Sequence, residues 1–246
     1  MDSENSVVLI PGWGTGVSAW KHVVPQLSQR RDVMTIDWPW CNAGGDQSMQ
    51  DFEEYTSKVA RRLPDSSELV GWSLGGLLSL KIAISNPQKV AKLVLVGSAP
   101  CMVSRHDWPC GIDASNYCDF VERFSVDPTR TWKRFLALVT AGDKHPSETR
   151  AELIGGCPYN ELAEHEYRYG LEWMERLDLR PQLGAIDCPI ALIHGANDQL
   201  IPCRTSMETQ KIMPHASLHV IEDAGHAPQI AQPAQFGEAL SISLKL

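Results

Sequence analysis

A serine, an aspartate and a histidine occur along this chain in settings that suit nucleophilic acyl transfer. Ser73 lies in Gly71-Trp72-Ser73-Leu74-Gly75-Gly76, which fits G-x-S-x-G. In that pattern a strand turns sharply into a helix, with the serine on the turn in a strained backbone. The glycines let neighbouring chain come close. The Leu74 amide then points at the start of the helix, where unpaired N–H groups favour an oxyanion. Asp198 follows an apolar run, in His194-Gly195-Ala196-Asn197-Asp198-Gln199-Leu200-Ile201-Pro202. Taken alone, an aspartate in such a setting is more often a turn residue than a catalytic one. Two other acids compete with it. Asp187 precedes its apolar run and so falls at the wrong end of a strand. Asp223 shares a loop with His226 and is the more serious rival. His226 follows the last apolar run, in Glu222-Asp223-Ala224-Gly225-His226-Ala227-Pro228, and completes the chain order Ser, Asp, His. As a base it would take the serine proton, while the aspartate fixes its tautomer and stabilises the imidazolium. The chain has 8 histidines, so loop and order single out His226, not its residue type. Pro11-Gly12-Trp13-Gly14 follows the first apolar run. Its Trp13 amide is a candidate second oxyanion donor beside Leu74, although the four residues also suit an ordinary Pro-Gly turn.

These groups need elements to position them. Val7-Val8-Leu9-Ile10, Val33-Met34-Thr35-Ile36, Glu68-Leu69-Val70-Gly71, Leu93-Val94-Leu95-Val96, Ile190-Ala191-Leu192-Ile193 and Leu218-His219-Val220-Ile221 read as strands. Between them run helical patterns. Phe52, Tyr55, Val59 and Leu63 share a face over 51–63. Leu74, Leu77, Leu78 and Ile82 point inward over 74–85, which Asn86-Pro87 closes. Further helices are predicted near 205–212 and from about Pro233. Continuous apolar strands alternating with helices predict an α/β fold with a mostly parallel twisted sheet and right-handed crossovers. From 100 to 180 the strand-like runs vanish, and Phe120, Phe124, Trp132, Phe135 and Trp173 appear at helical spacing. The expected organisation is a core of 1–99 and 181–246, with a helical lid of 100–180 inserted between strands. Such a lid lies over the carboxyl ends of the strands, where ligands bind in these sheets.

Composition excludes several classes. Hydrophobic residues make up 43% and charged residues 21%, an ordinary globular balance that argues against disorder. The net charge of −8 argues against a nucleic-acid binder, which would need a basic stripe. The 7 cysteines form no C-x-x-C pair, so neither a zinc ribbon nor a thioredoxin-type motif is supported. An odd, scattered set of cysteines behind an acidic, polar N-terminus predicts reduced thiols in a cytoplasmic protein. No apolar run approaches the ~18 residues of a membrane span.

Several segments together resemble the BioH carboxylesterases of biotin synthesis, within the α/β-hydrolase fold. They are Gly71 to Leu77, Ser98-Ala99-Pro100-Cys101 leading to Trp108-Pro109, Arg134-Phe135-Leu136-Ala137-Leu138, Asp178-Leu179-Arg180 and Gly225-His226-Ala227-Pro228. The elbow is common to many hydrolases, whereas the lid segments are more specific. The resemblance implies a pimeloyl-[acyl-carrier protein] methyl ester esterase with Ser73 as nucleophile, Asp198 as acid, His226 as base, and Trp13 and Leu74 as oxyanion amides. It places Trp13, Trp72 and Phe135 along an apolar acyl channel, although core packing accounts for these aromatics equally well. It also implies docking of acidic acyl carrier protein through lid arginines, here Arg130 and Arg134, with Lys144 and Arg150 as weaker matches. Between Pro128 and Ala151 only Asp143 and Glu148 oppose this basic face. A solvated helix face is the plain alternative. No metal or organic cofactor is implied, and a monomer is expected.

Three departures from the family pattern are visible. Pro11-Gly12 stands where the family usually has His-Gly, so the oxyanion loop needs another support. The family's Asp-x-Pro-Gly turn is Asp37-Trp38-Pro39-Trp40. Only Met1 to Ser6 precede the first strand, so the opening antiparallel strands common in the fold are expected to be short or missing. One triad serves several chemistries. A short-chain carboxylesterase, a carbon–carbon bond hydrolase and a ligand-binding protein without turnover stay open beside the biotin role. A serine nucleophile argues against a dehalogenase.

Overall fold

The computed structural model describes residues 5–41 and 49–246; residues 1–4, part of the polar N-terminus read above, lie outside the described residues. Six strands form one sheet: β1 (Val7–Ile10), β2 (Val33–Thr35), β3 (Ser67–Trp72), β4 (Val90–Val96), β5 (Ile190–Gly195) and β6 (Ser217–Ile221). Their order is β2-β1-β3-β4-β5-β6, and every neighbouring pair is parallel. Among the described residues the sheet therefore has no antiparallel opening strand. The central strands β1 and β3 are buried throughout, while the edge strands β2 and β6 are partly exposed. This is why the central runs read as continuously apolar. β3 extends one residue beyond its predicted run at each end, and the buried Glu68 within it pairs with Lys92 at 3.2 Å on the neighbouring strand.

Helices flank the sheet: α1 (Val24–Leu27), α2 (Phe52–Arg62) and α3 (Leu74–Ser85) come first. Asp51 caps α2 by accepting from the Glu54 amide at 2.8 Å, which sets where that helix starts. Helix α3 is apolar on nearly every side and is buried over most of its length. Between β4 and β5 lie α4 (Ala114–Val126), α5 (Pro128–Val139), α6 (Pro146–Gly156) and α7 (Glu164–Arg176), the predicted helical insertion. After β5 come α8 (Arg204–Ile212), α9 (Pro228–Ala231) and α10 (Pro233–Leu244). Asp127 caps α5 and Pro128 occupies its first turn. The helix buries Trp132, Phe135, Leu136 and Val139 on one face. None of the described helices is long and apolar enough to cross a membrane. All 7 cysteines are unbridged, with the thiols of Cys41 and Cys157 2.9 Å apart.

The strand order reverses at β1, whose neighbours are β2 and β3. The chain leaves β1 at Pro11 and β3 at Ser73, so both loops meet at this switch point, where such sheets bind ligands.

Candidate active site

Ser73 sits between β3 and α3 with φ 53° and ψ −119°, a left-handed strained backbone for a residue with a Cβ. The surroundings over-determine it. The Ser73 amide donates to the Val96 carbonyl at 2.9 Å, and the Ser98 hydroxyl donates to the Ser73 carbonyl at 2.8 Å. A Cβ on Gly71 would collide with the Gly75 carbonyl oxygen, and one on Gly75 with the carbonyl oxygens of Ile10 and Pro11. Both glycines of the motif are thus demanded by close approach. Leu74 opens α3, so its N–H has no carbonyl one turn earlier to bind. Among the described residues nothing accepts from the amide of Trp13 or Leu74.

The histidine loop packs against the elbow. The Trp72 indole donates to the His226 carbonyl at 2.8 Å, and the His226 amide donates to the Val139 carbonyl at 3.0 Å. His226 Nδ1 lies 2.7 Å from Asp198 Oδ2, and both side chains are fully buried. Nδ1 faces a carboxylate and so carries the proton, which leaves a lone pair on Nε2. Nε2 is buried and bonds to nothing among the described residues, Ser73 Oγ included. Contacts of this kind tighten when substrate arrives.

Asp198 is held from both sides. Its Oδ1 accepts from the Leu200 and Ile201 amides, each at 2.9 Å. Its Oδ2 also lies 3.1 Å from His194 Nε2. His194 is itself fixed, with Nε2 2.8 Å from the Ile201 carbonyl and Nδ1 2.7 Å from the Ser206 hydroxyl. Burial alone works against a charge there, but the two histidines outweigh it and hold the Asp198 carboxyl well below the usual carboxylate range. Neither rival acid is placed to replace it. Asp187 is exposed before β5. Asp223 is exposed too, and its backbone carbonyl, not its carboxylate, takes the local hydrogen bonds, from Lys144 N and Gln232 Nε2.

Three indoles hold the loop after β1. Trp38 donates to the Pro11 carbonyl at 2.8 Å, Trp132 to the Gly14 carbonyl at 2.8 Å and Trp40 to the Thr15 carbonyl at 2.9 Å. The departures at Pro11 and at Asp37-Trp38-Pro39-Trp40 are thus connected, since the altered turn supports the altered loop. Sequence reading missed these tryptophans, and it missed His194. Hydrogen bonds across more than 20 residues leave no local pattern. The one available signal for His194 was a histidine inside an apolar strand, four residues before Asp198.

A cavity of about 260 Å³ opens over Ser73. Its walls are apolar, with Trp13, Phe120, Phe135, Leu171, Met174 and Ile201 among them. Trp13 and Phe135 meet edge to face at 4.8 Å. Trp72 is not part of this wall; it lies behind the histidine loop, 5.7 Å from the His226 ring. Asp119, Arg123 and Arg134 line the cavity and are exposed, so they mark its mouth. Arg130 and Arg134 are exposed on α5, Lys144 is exposed in the following turn, and Arg150 is half-buried on α6. Among the described residues none of these four cations forms an ion pair. Asp143, one of the two acids in this segment, is buried and turned inward.

A family profile described as "alpha/beta hydrolase fold" matches residues 5–233. The pimeloyl-[acyl-carrier protein] methyl ester esterase of Nitrosomonas europaea is 34% identical over 94% of this chain and 92% of its own. The enzyme of the same name from Edwardsiella ictaluri is 34% identical over 96% of this chain and 92% of its own. Among solved structures, an esterase from Exiguobacterium antarcticum superposes with TM-score 0.85 at 21% identity, over 100% of this chain and 94% of its own. A bromoperoxidase from Bacillus anthracis superposes with TM-score 0.86 at 21% identity, over 98% of this chain and 92% of its own. At that identity these two likenesses speak for the fold alone. The chain belongs to the α/β-hydrolase family and is related over most of its length to the BioH esterases.

Proposed function

We propose that this protein is a serine carboxylesterase that removes the methyl ester from pimeloyl-[acyl-carrier protein] through an acyl-enzyme. The observation that carries the reading is the His226–Asp198 contact at 2.7 Å, which leaves a basic Nε2 buried beside the serine elbow. Ser73 Oγ attacks the ester carbonyl while its proton passes to Nε2. The oxyanion that forms lies between the Trp13 and Leu74 amides. His226 then gives the proton to the departing methanol. Water repeats the cycle on the acyl-enzyme and frees the carboxylate.

The choice of substrate rests on the family relation and on the cavity. A space of about 260 Å³ with apolar walls suits a short acyl chain, being smaller than the ~300–1,000 Å³ of drug-sized sites. The charged mouth suits the polar carrier end of an extended substrate. In this reading Arg130 and Arg134 receive the acidic carrier protein, with Lys144 and Arg150 at the edge of the contact, and 100–180 acts as the lid. Intact-protein mass spectrometry with a fluorophosphonate tests the chemistry. One adduct on Ser73 is expected, absent in Ser73→Ala and formed far more slowly in His226→Ala. Equal labelling of all three proteins would sink the triad.

A further inference from the structure

We infer that Asp143, in the turn between α5 and α6, is the positioning residue that holds the histidine loop in its working place. The inference rests on the reading of His226 as the base. Asp143 Oδ1 accepts from the Gly225 amide at 2.6 Å, one residue before His226. The residues on either side of Asp143 bind the same loop. Val139 O accepts from His226 N at 3.0 Å, and Lys144 N donates to Asp223 O at 3.1 Å. The turn also reaches the aspartate loop, because Asn197 Nδ2 donates to Gly142 O at 3.1 Å. Asn197 N in turn donates to Ala224 O at 3.0 Å, which joins the two catalytic loops to each other. Asp143 is thus the side chain through which the helical insertion grips the histidine loop, while the neighbouring Gly142 carbonyl takes the aspartate loop.

Close packing leaves this arrangement little slack. Gly142 has φ +94°, and a Cβ there would collide with the Asn197 carbonyl oxygen. A Cβ on Gly225 would press on the Ala141 carbonyl oxygen and on Asp143 Oδ1. Asp143 is only 8% exposed, although Lys133, Arg134, Lys144 and Glu148 around it in sequence are exposed. Burying a carboxylate is unfavourable unless it makes a strong contact, and an apolar residue would fill the space at less cost. Burial pushes its carboxyl up from the ordinary 3.8, with the Gly225 amide pulling the other way. A group kept there against its own solvation is best explained by the amide it holds.

Variants at Asp143 separate position from bulk stability. Asp143→Ala deletes the acceptor, whereas Asp143→Asn keeps an oxygen at the same place. The expected result for Asp143→Ala is a kcat lower by about tenfold to hundredfold with KM within about twofold, since small misplacement of a base acts on turnover. Asp143→Asn should recover kcat to within about threefold. Ser73 labelling by a fluorophosphonate should follow kcat. The Gly225 amide proton gives a reading that does not depend on the alanine variant folding. It should resonate at low field in the wild type and move upfield in Asp143→Asn, as a charged acceptor becomes neutral. A wild-type kcat in Asp143→Ala would overturn the inference. So would a loss confined to KM, equal loss in folded Ala and Asn variants, or a Gly225 resonance unmoved in Asp143→Asn. Failure of the triad itself would look different, with Ser73→Ala as active as the wild type.

Discussion

At Ser73 the backbone is strained, at Asp198 a buried charge is held by two histidines, and at His226 one ring nitrogen is used and the other left free. These three conditions are what a serine nucleophile, an orienting acid and a base require. Asp198→Asn tests the second of them. An amide can present its N–H to Nδ1 and so favour the wrong tautomer, and kcat should fall on the order of 10⁴-fold with little change in KM. Steady-state kinetics on a p-nitrophenyl ester would measure it, and a loss below tenfold would mean that another acid serves. All three stand out as candidates in the sequence because each sits just after a strand-like run. The choice between Asp198 and Asp223 is not legible there, since both lie in loops at the same sheet end. Side-chain placement distinguishes them: Asp198 is buried against His226, and Asp223 is exposed.

At the scale of elements, loop positions matter more than residue types. The loop after β1 carries the Trp13 amide, and indoles from Trp38, Trp40 and Trp132 hold its carbonyls. Trp38→Phe keeps an aromatic ring, though a smaller one, and deletes the donor to Pro11 O. If that loop forms half of the oxyanion hole, kcat should fall by about tenfold to hundredfold while KM changes little. An unchanged kcat would show that the loop is set by other contacts. The strands, the core helices and the presence of a helical insertion could be read from periodicity, because buried elements carry apolar residues at regular spacing. The indole supports could not. In sequence a tryptophan that donates to a distant carbonyl looks the same as one that only fills the core. Trp72 illustrates the converse: it is an aromatic beside the nucleophile, yet it packs behind the histidine loop and not along the cavity.

At the scale of the whole molecule the chain is acidic, with net charge −8, yet Arg130, Lys133, Arg134 and Lys144 stand exposed on or just beyond α5. With Asp143 buried, that strip is more basic than its sequence suggests. A basic strip on an acidic protein steers an acidic partner and is screened by salt. The double variant Arg130→Glu/Arg134→Glu should lower kcat/KM on carrier-linked substrate by about tenfold or more at low salt, with less effect as salt rises. Turnover of a small free ester should fall far less, because Arg134 meets the cavity only at its exposed mouth and Arg130 does not line it. Equal loss on both substrates would place the arginines in the cavity's own chemistry. The family could be read from the elbow and lid segments together. The preferred ester could not, because the same fold and triad serve many substrates.

The most direct test of the account is mass spectrometry of pimeloyl-[acyl-carrier protein] methyl ester incubated with wild type and with Ser73→Ala. Rapid loss of the methyl group is expected with the wild type and none with the variant. A wild type that leaves this substrate intact, while cleaving a p-nitrophenyl ester in a Ser73-dependent way, would contradict the assigned substrate and keep only the triad.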